Sequence, residues 1–435
     1  MAADALSPLV DAAWSRITAD RLRELVVGLV DIPSPTGDER PLAEWVTGQM
    51  ADAGLDARLQ PLDDRQANAV ARHAGSGAGE SVLLYAPLDT LTVGDPAEDV
   101  PWIGPTLRED MVPSARVVGD HVLGLGASNP KGHAAAVVMA AEAIAAAGLQ
   151  LPGDLLVGLG AGGMPTNGRI GPDSGRHDTG QGAGCSFMVE QGVWADHAVI
   201  AKPGWGVSWE EVGLCWFEIE VHGTFTYVGS RHRMPYRNAI GAAGTVVHEL
   251  EEWFPVYAAA HTDGLVAPQG IVSAIEAGWP RMSSVTPAVC RIYVDLRTSP
   301  RSTMSEVQRE LGAAIDTIRA RHDDLDITWR TRLTIPGTRT DPEAPVVQAA
   351  VAAWEELAGR PHEPIVANSG ATDANILRQK GLSVARIGMD RIGPDAPLPL
   401  DFPAGMNVVD LREAARLARH LVHTVVHLTH RRVEA

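Results

Sequence analysis

The residue types best suited to chemistry lie in a glycine-rich turn, Gly124 to His133, which reads Gly-Leu-Gly-Ala-Ser-Asn-Pro-Lys-Gly-His. A short apolar run precedes the turn, and residues 134–148, almost all Ala, Val and Met, follow it. The pattern predicts a strand, a turn and a buried helix. Such a turn directs backbone N–H groups and short side chains into one pocket. Within it, Ser128 and Asn129 can hydrogen-bond a substrate or cap the helix that follows, and both interpretations stay open.

Apolar patterning predicts how the rest of the chain positions this turn. Helices are expected over 20–30 and 40–54, and buried strands over 67–72, 81–85, 154–159 and 198–201. The strand over 81–85 continues directly into Asp89, and the strand over 198–201 ends at Lys202. Strands that alternate with helices indicate a mostly parallel α/β sheet with flanking helices.

From about Val212 the pattern changes to a compact α+β unit with helices over 238–253 and 303–322 and strands over 215–222, 288–296 and 326–332. After Asp341 the first pattern returns, with helices over 344–357 and 411–428 and a strand over 382–387. The sequence therefore predicts a discontinuous α/β domain, 1–211 and 333–435, and an inserted α+β lid domain, 212–332.

Composition limits the class of protein. A chain of 435 residues is too long for one simple core, and 45% hydrophobic with 21% charged residues indicates a soluble globular protein. The net charge of -18 argues against nucleic-acid binding, and no apolar run approaches the ~20 residues of a membrane helix. Cys185, Cys215 and Cys290 show no CxxC spacing, and no signal peptide is visible, so we expect a cytoplasmic protein.

Several motifs together resemble the M20 family of dizinc amidohydrolases and peptidases, which includes acetylornithine deacetylase, succinyl-diaminopimelate desuccinylase and carboxypeptidase G2. In chain order these motifs are Ile32–Glu39, Gly124–Gly132, Ile200–Pro203, Arg237–Ile240, Asp295–Arg297 and Gly370–Ala374. The resemblance covers nearly the whole chain. It implies a catalytic domain with an inserted lid through which the protein forms a homodimer.

The metal-ligand positions of the family carry other residues here. Pro87 stands in place of the His of the His-x-Asp motif, and Asn129 stands in place of the bridging Asp. The segment 161–163 occupies the position of the Glu pair, and Lys202 that of an acidic ligand. The last His falls near Pro403, and Asn407 stands at a nearby family Glu. A dizinc site of this kind needs His nitrogen and carboxylate oxygen ligands around two dications, and a lysine beside zinc would be repulsive. We therefore predict no metal at these positions, no other cofactor, and no dizinc hydrolytic mechanism.

The resemblance also assigns the remaining candidates. Asp89, without the His that it would orient, is either catalytic or an ion-pair partner, and Lys202 either acts as a base or nucleophile or neutralises Asp89. Tyr227 aligns with the lid His that holds the scissile carbonyl, and Arg297 with a lid Arg suited to a substrate carboxylate. The remaining predicted substrate-binding residues are Ser128, His232, Asn238, Gly370, Thr372 and Asp373.

Three functional hypotheses follow, and the sequence favours the first because polar residues such as Lys202 and Asn129 replace carboxylates of the family site. The first is a metal-independent enzyme acting at an amide- or imine-like C–N bond of a small amino-acid-like carboxylate substrate, with Lys202, Asp89, Asn129 and Tyr227 as catalytic residues. The second is an inactive homologue that binds such a ligand or regulates a partner. The third is a metal-dependent amidohydrolase whose ligands have moved, for instance to His133, Glu190, His232 or Asp373.

Overall fold

The computed structural model of the chain describes residues 6–166, 179–393 and 405–431. Within them the helices are α1 Ser7–Trp14, α2 Ala19–Asp31, α3 Arg40–Asp52, α4 Pro96–Asp99, α5 Lys131–Ala146, α6 Ala183–Glu190, α7 Ala239–His261, α8 Met304–Arg321, α9 Pro345–Ala358, α10 Ala374–Gln379 and α11 Leu411–Thr429. The strands are β1 Asp56–Pro61, β2 Ala67–His73, β3 Val82–Pro87, β4 Arg116–Val118, β5 His121–Leu123, β6 Leu155–Gly160, β7 His197–Ala201, β8 Glu210–Glu211, β9 Gly213–His222, β10 Thr226–Tyr227, β11 Gly270–Ala277, β12 Val285–Thr286, β13 Val289–Thr298, β14 Asp326–Ile335, β15 Thr338–Arg339, β16 Ser383–Ile387 and β17 Val408–Asp410.

The chain divides into two compact units. Unit 1 comprises 1–209, 340–365 and 372–435, and unit 2 comprises 210–339 and 366–371. The sequence predicts 212–332 for the inserted domain. The additional segment 366–371 joins unit 2 because it pairs with that unit: the N–H of Asn368 donates to the carbonyl of Leu265, and the N–H of Ala267 donates to the carbonyl of Asn368.

Unit 1 contains a six-stranded sheet in the order β1-β2-β6-β3-β7-β16. The strands β6, β3, β7 and β16 pair in parallel, and β2 is antiparallel to β6. The predicted α/β class with a mostly parallel central sheet is therefore confirmed. Every residue of β3 is buried, as expected for a parallel strand covered on both faces.

Helices cover both faces of this sheet. On one face Val82, Leu84 and Ala86 share a core with the buried helix α5 and with α2 and α11. On the other face Leu83 and Tyr85 pack with side chains of α6 and α10. Helix α5 is buried nearly all round, as its Ala-, Val- and Met-rich sequence predicts.

Unit 2 is a four-stranded antiparallel sheet in the order β11-β13-β9-β14, with α7 and α8 contributing to one apolar core. Cys215 and Cys290 are buried in that core. Helix α7 runs eight residues beyond the predicted end, through Pro255, because Phe254 and Tyr257 continue its buried face. In the part of the chain that the structure describes, no helix combines the length and apolarity needed to cross a bilayer.

Candidate functional site

Three parallel strands of unit 1 end at one edge of the sheet and carry the candidate residues there. β3 leads to Asp89, β6 leads to the turn Ala161–Met164, and β7 leads to Lys202. The carboxyl ends of parallel strands are where open α/β sheets bind ligands. The fold thus brings Asp89 and Lys202 to the same edge as a loop that has no carboxylate side chain.

Asp89 is fully buried, and both of its carboxylate oxygens are occupied by donors from the protein. The Thr36 hydroxyl donates to Oδ2 over 2.7 Å, and the N–H of Met164 donates to the same oxygen over 2.9 Å. The N–H of Gly163 donates to Oδ1 over 2.8 Å. Burial raises the pKa of Asp89, whereas these donors and the Lys202 ammonium lower it. Asp89 therefore anchors the loop after β6.

Glu39 is a second buried carboxyl beside Asp89, and the sequence analysis did not select it. The N–H groups of Gly37 and Gly162 each donate to Oε1 over 2.9 Å, whereas Oε2 is buried without a hydrogen-bond partner. Burial and then the negative charge of Asp89 raise the pKa of Glu39 to about 8. Glu39 is therefore a neutral acid at pH 7. The only signal for it was its place at the end of the motif Ile32–Glu39.

Lys202 is 6% exposed and acts electrostatically on two neighbours. Its ammonium lowers the pKa of Asp89 and also that of His133. The effect of Lys202 on the pKa of Asp89 is what the neutralising interpretation requires. The catalytic interpretation of Lys202 stays a prediction.

The glycine-rich turn is held by contacts within unit 1. The N–H groups of Ser128 and Asn129 both donate to the carbonyl of Met406. His133 is buried, with Nδ1 against the carbonyl of Ser128 at 2.7 Å and Nε2 accepting from the N–H of Met389 at 3.4 Å. Burial lowers the pKa of His133 to about 3. Its two ring nitrogens are thus engaged, as in a structural histidine.

Asn129 presents one unusual feature, since its Oδ1 is buried without a hydrogen-bond partner. Asn407, at the other family position occupied by Asn, is used structurally: its Oδ1 accepts from the N–H of Gly126 over 2.8 Å. Lys131 is also structural, because its Nζ donates to the carbonyl of Ile32 over 2.9 Å. Of these residues, Asn129 alone keeps an acceptor that the described protein does not satisfy.

The motif Gly370–Ala374 is divided between the two units. Gly370 belongs to unit 2, where its N–H donates to Oδ1 of Asn368 over 3.0 Å. Thr372 and Asp373 belong to unit 1, and the Thr372 hydroxyl accepts from the N–H of Ala374 over 3.2 Å at the start of α10. The buried carboxylate of Asp373 accepts from the Tyr85 hydroxyl over 2.5 Å.

The other predicted residues lie in unit 2. Tyr227 is 58% exposed on the short strand β10, and His232 is exposed with Nε2 accepting from Nε of Arg233 over 3.1 Å. Asn238 caps α7, since its Oδ1 accepts from the N–H of Ile240 over 3.1 Å. Arg297 donates to Oδ2 of Asp295 over 2.9 Å.

The residues at the sheet edge of unit 1 do not fit the two zinc ions that the fold family implies. Pro87 offers no ligand atom, Asn129 offers a neutral amide in place of a carboxylate, and the Lys202 ammonium offers only donors. Among residues 6–166, 179–393 and 405–431, no group of three or more His, Cys, Asp or Glu side chains could hold a metal ion. Pro403 lies outside the described residues.

The residues suggested for relocated ligands also have separate partners. His133 is bonded within the glycine-rich turn, Glu190 pairs with Lys380 on the surface, and Asp373 bonds Tyr85. His232 is in unit 2 beside Arg233. These contacts give the relocated-ligand hypothesis no support.

The central sheet and the inserted antiparallel unit define an α/β protein with the fold of M20 peptidases. Three similar solved structures are human carnosine dipeptidase 1, the M20 family metallo-carboxypeptidase Sso-CP2 from Sulfolobus solfataricus and the dinuclear metal-binding M20 peptidase YxeP from Bacillus subtilis. Their identities to the chain are 14%, 13% and 14%, with TM-scores of 0.70, 0.67 and 0.63. The alignments cover 97%, 94% and 94% of this chain, and 99%, 99% and 97% of the other. No protein-family model matches the chain.

Proposed function

We propose that this chain binds a small amino-acid-like carboxylate compound on an M20 peptidase fold without hydrolysing it by dizinc chemistry. This is the second of the three hypotheses drawn from the sequence. One observation carries it: Pro87, Asn129 and Lys202 stand at ligand positions of the fold family, and among the described residues no group of three or more His, Cys, Asp or Glu side chains could hold a metal ion. Without imidazole and carboxylate ligands at these positions, a dizinc centre cannot assemble there.

The ligand class is supported by the similar structures and by one cation. The printed names describe a dipeptidase, a carboxypeptidase and a peptidase, all of which act on peptide-like molecules. The guanidinium of Arg297 in unit 2 suits a carboxylate in a bidentate geometry. These observations favour an anionic, amino-acid-like ligand over a nucleic acid, which the net charge of -18 disfavours.

Calorimetry and chromatography together test this proposal. The chain is titrated with free amino acids, N-acyl amino acids and dipeptides, and each mixture is then analysed for cleavage with and without added zinc. We expect saturable binding of at least one carboxylate compound, weaker binding by Arg297→Ala, and no cleavage. Arg419→Ala, at an exposed arginine of α11 in unit 1, is the matched control. Zinc-dependent cleavage, or no saturable binding across the panel, would contradict the proposal.

A metal-independent enzyme is the second candidate, and Glu39 is the observation that favours it. A neutral carboxyl with one unbonded oxygen can give a proton to a leaving nitrogen while water adds to the carbonyl carbon, and then recover a proton from that water. Under this mechanism Glu39→Gln abolishes cleavage and preserves binding. Cleavage that persists in Glu39→Gln would exclude Glu39 as the acid.

We also propose that the chain forms a homodimer through unit 2. The strand β11 lies at the edge of its sheet, and Ile271 and Ile275 on it are 54% and 53% exposed. An exposed edge strand with apolar side chains is a template for pairing with another chain. The β11 strand of a second copy would pair with the backbone N–H and C=O groups of this edge, in agreement with the dimerisation expected of an inserted lid domain.

A further inference from the structure

The turn after β6 offers three consecutive backbone N–H groups to two buried carboxyls. Gly162 donates to Oε1 of Glu39 over 2.9 Å, Gly163 to Oδ1 of Asp89 over 2.8 Å, and Met164 to Oδ2 of Asp89 over 2.9 Å. Successive N–H groups that converge on an anion form a site of positive partial charge. Here the N–H groups of Gly163 and Met164 converge on Asp89, and that of Gly162 donates to the carboxyl group of Glu39.

Two glycines are required for this geometry. Gly162 has φ +62°, and a Cβ there would stand 2.1 Å from the carbonyl oxygen of Thr179. A Cβ on Gly163 would stand 2.4 Å from Cβ of Pro87 and 2.8 Å from Oδ2 of Asp373. The distances of 2.1 Å to the Thr179 carbonyl oxygen and 2.4 Å to Cβ of Pro87 are shorter than Cβ contacts in proteins. A side chain at either glycine must therefore displace the backbone.

We infer that residues 162–164 form a backbone clamp on the carboxyl groups of Asp89 and Glu39, and that this clamp fixes the turn after β6 in a conformation without room for the carboxylate ligands of a dizinc centre. The loss of the metal site therefore involves the backbone as well as the side chains. Restoring carboxylates at 162 and 163, even with Pro87→His, Asn129→Asp and Lys202→Glu, therefore does not restore a dizinc centre. The clamp assigns a physical role to two positions that otherwise show only lost ligands.

Amide hydrogen exchange tests the clamp without any ligand. In the full chain we expect the N–H groups of Gly163 and Met164 to be protected, and in Asp89→Asn at least one of them to exchange at least about tenfold faster. Glu39→Gln keeps an oxygen acceptor at Oε1, so protection at Gly162 should change much less. Rapid exchange of these amides in the unaltered chain, or equal protection in Asp89→Asn, would overturn the inference.

A pair of glycine substitutions tests the backbone requirement. Gly163→Ala should lower the Tm by several degrees, whereas Gly48→Ala should leave it unchanged or raise it, because a Cβ at Gly48 in α3 meets nothing within 4 Å. Equal Tm values would overturn the glycine requirement. The variant with carboxylates at 162 and 163 and with Pro87→His, Asn129→Asp and Lys202→Glu is the second test. If it folds and binds two zinc ions per chain, the inference that the clamp excludes a dizinc centre is overturned.

The clamp shares one premise with the proposed function, namely that no zinc ion binds at this edge of the sheet. Experiments can contradict the clamp and the proposed function separately. Cleavage of a peptide by the unaltered chain would contradict the proposed function and leave the amide protection in place. Unprotected amides with intact ligand binding would contradict the clamp alone.

Discussion

The hydroxyl of Tyr85 donates a hydrogen bond to Oδ2 of Asp373 over 2.5 Å, between residues that are 288 positions apart in the chain. The bond ties the end of β3 to the start of α10, and both side chains are buried. Asp373 is thus held by the scaffold, although its motif predicts a role at the substrate. Burial and the charge of Asp373 raise the pKa of Tyr85 well above its usual value, so the phenol stays a donor.

Tyr85→Phe should lower the free energy of unfolding by about 1–3 kcal/mol, because it removes a donor from a buried carboxylate. Urea denaturation monitored by circular dichroism measures the change. Tyr227→Phe is the control, since that residue is 58% exposed on unit 2. If the two variants have the same stability as the unaltered chain, the bond from Tyr85 contributes nothing to folding.

Lys202→Met should also destabilise the fold, by about 1–3 kcal/mol, because it removes a cation that lowers the pKa of the buried Asp89 carboxyl group. The same urea measurement applies. Lys380→Met, which breaks a more exposed ion pair with Glu190 in the same unit, should cost less than about 1 kcal/mol. Unchanged stability of Lys202→Met would show that Lys202 does not neutralise this site.

Much of the fold can be predicted from local sequence patterns. The roles of the site residues cannot, because they depend on contacts between segments that are distant in the chain. The apolar runs of β3 and β7 predict buried strands, and their ends place Asp89 and Lys202 correctly. The edge strand β11 was not predicted, because its side chains are largely exposed and show no alternating burial. Helix α7 was predicted too short because Pro255 ordinarily ends a helix.

The roles of individual site residues were harder to predict for the same reason. Glu39 takes its character from Asp89 and Gly162, which lie far along the chain. Asn238 and Asn407 match family motifs, yet one caps a helix and the other holds the glycine-rich turn. A motif fixes where such residues lie but does not fix which hydrogen bonds they make.

Glu39→Gln should change how stability depends on pH. In the folded chain the Glu39 carboxyl keeps its proton up to about pH 8, whereas its ordinary pKa is 4.5. Its stabilising contribution is thus fully present below pH 4.5 and is lost as the pH rises toward 8. Glutamine does not ionise, so the variant should gain stability relative to the unaltered chain between pH 5 and pH 8.

Urea denaturation at pH 5, 6.5 and 8 measures that difference. Titratable groups that do not interact with Glu39 are present in both proteins, so their titration cancels in the comparison, whereas the titration of Asp89 is coupled to Glu39 and forms part of the measured difference. A stability difference that stays constant over this range would show that Glu39 does not hold a proton at neutral pH.

The proposed homodimer makes a prediction for the edge of unit 2. Sedimentation equilibrium of the unaltered chain should give twice the mass of 46.1 kDa, and Ile275→Lys on β11 should give a monomer, since edge lysines prevent strand pairing. Val117→Lys, at an exposed apolar residue of unit 1, should leave the dimer intact. A monomeric unaltered chain, or a dimeric Ile275→Lys variant, would contradict pairing through this edge.

The absence of dizinc chemistry is tested most directly by metal content. Elemental mass spectrometry is applied to protein purified without chelator, and again after incubation with zinc and removal of free metal. With Pro87, Asn129 and Lys202 at ligand positions, we predict well below one zinc ion per chain in both samples. Two retained zinc ions per chain would contradict this account and make metal-dependent amide hydrolysis the expected activity.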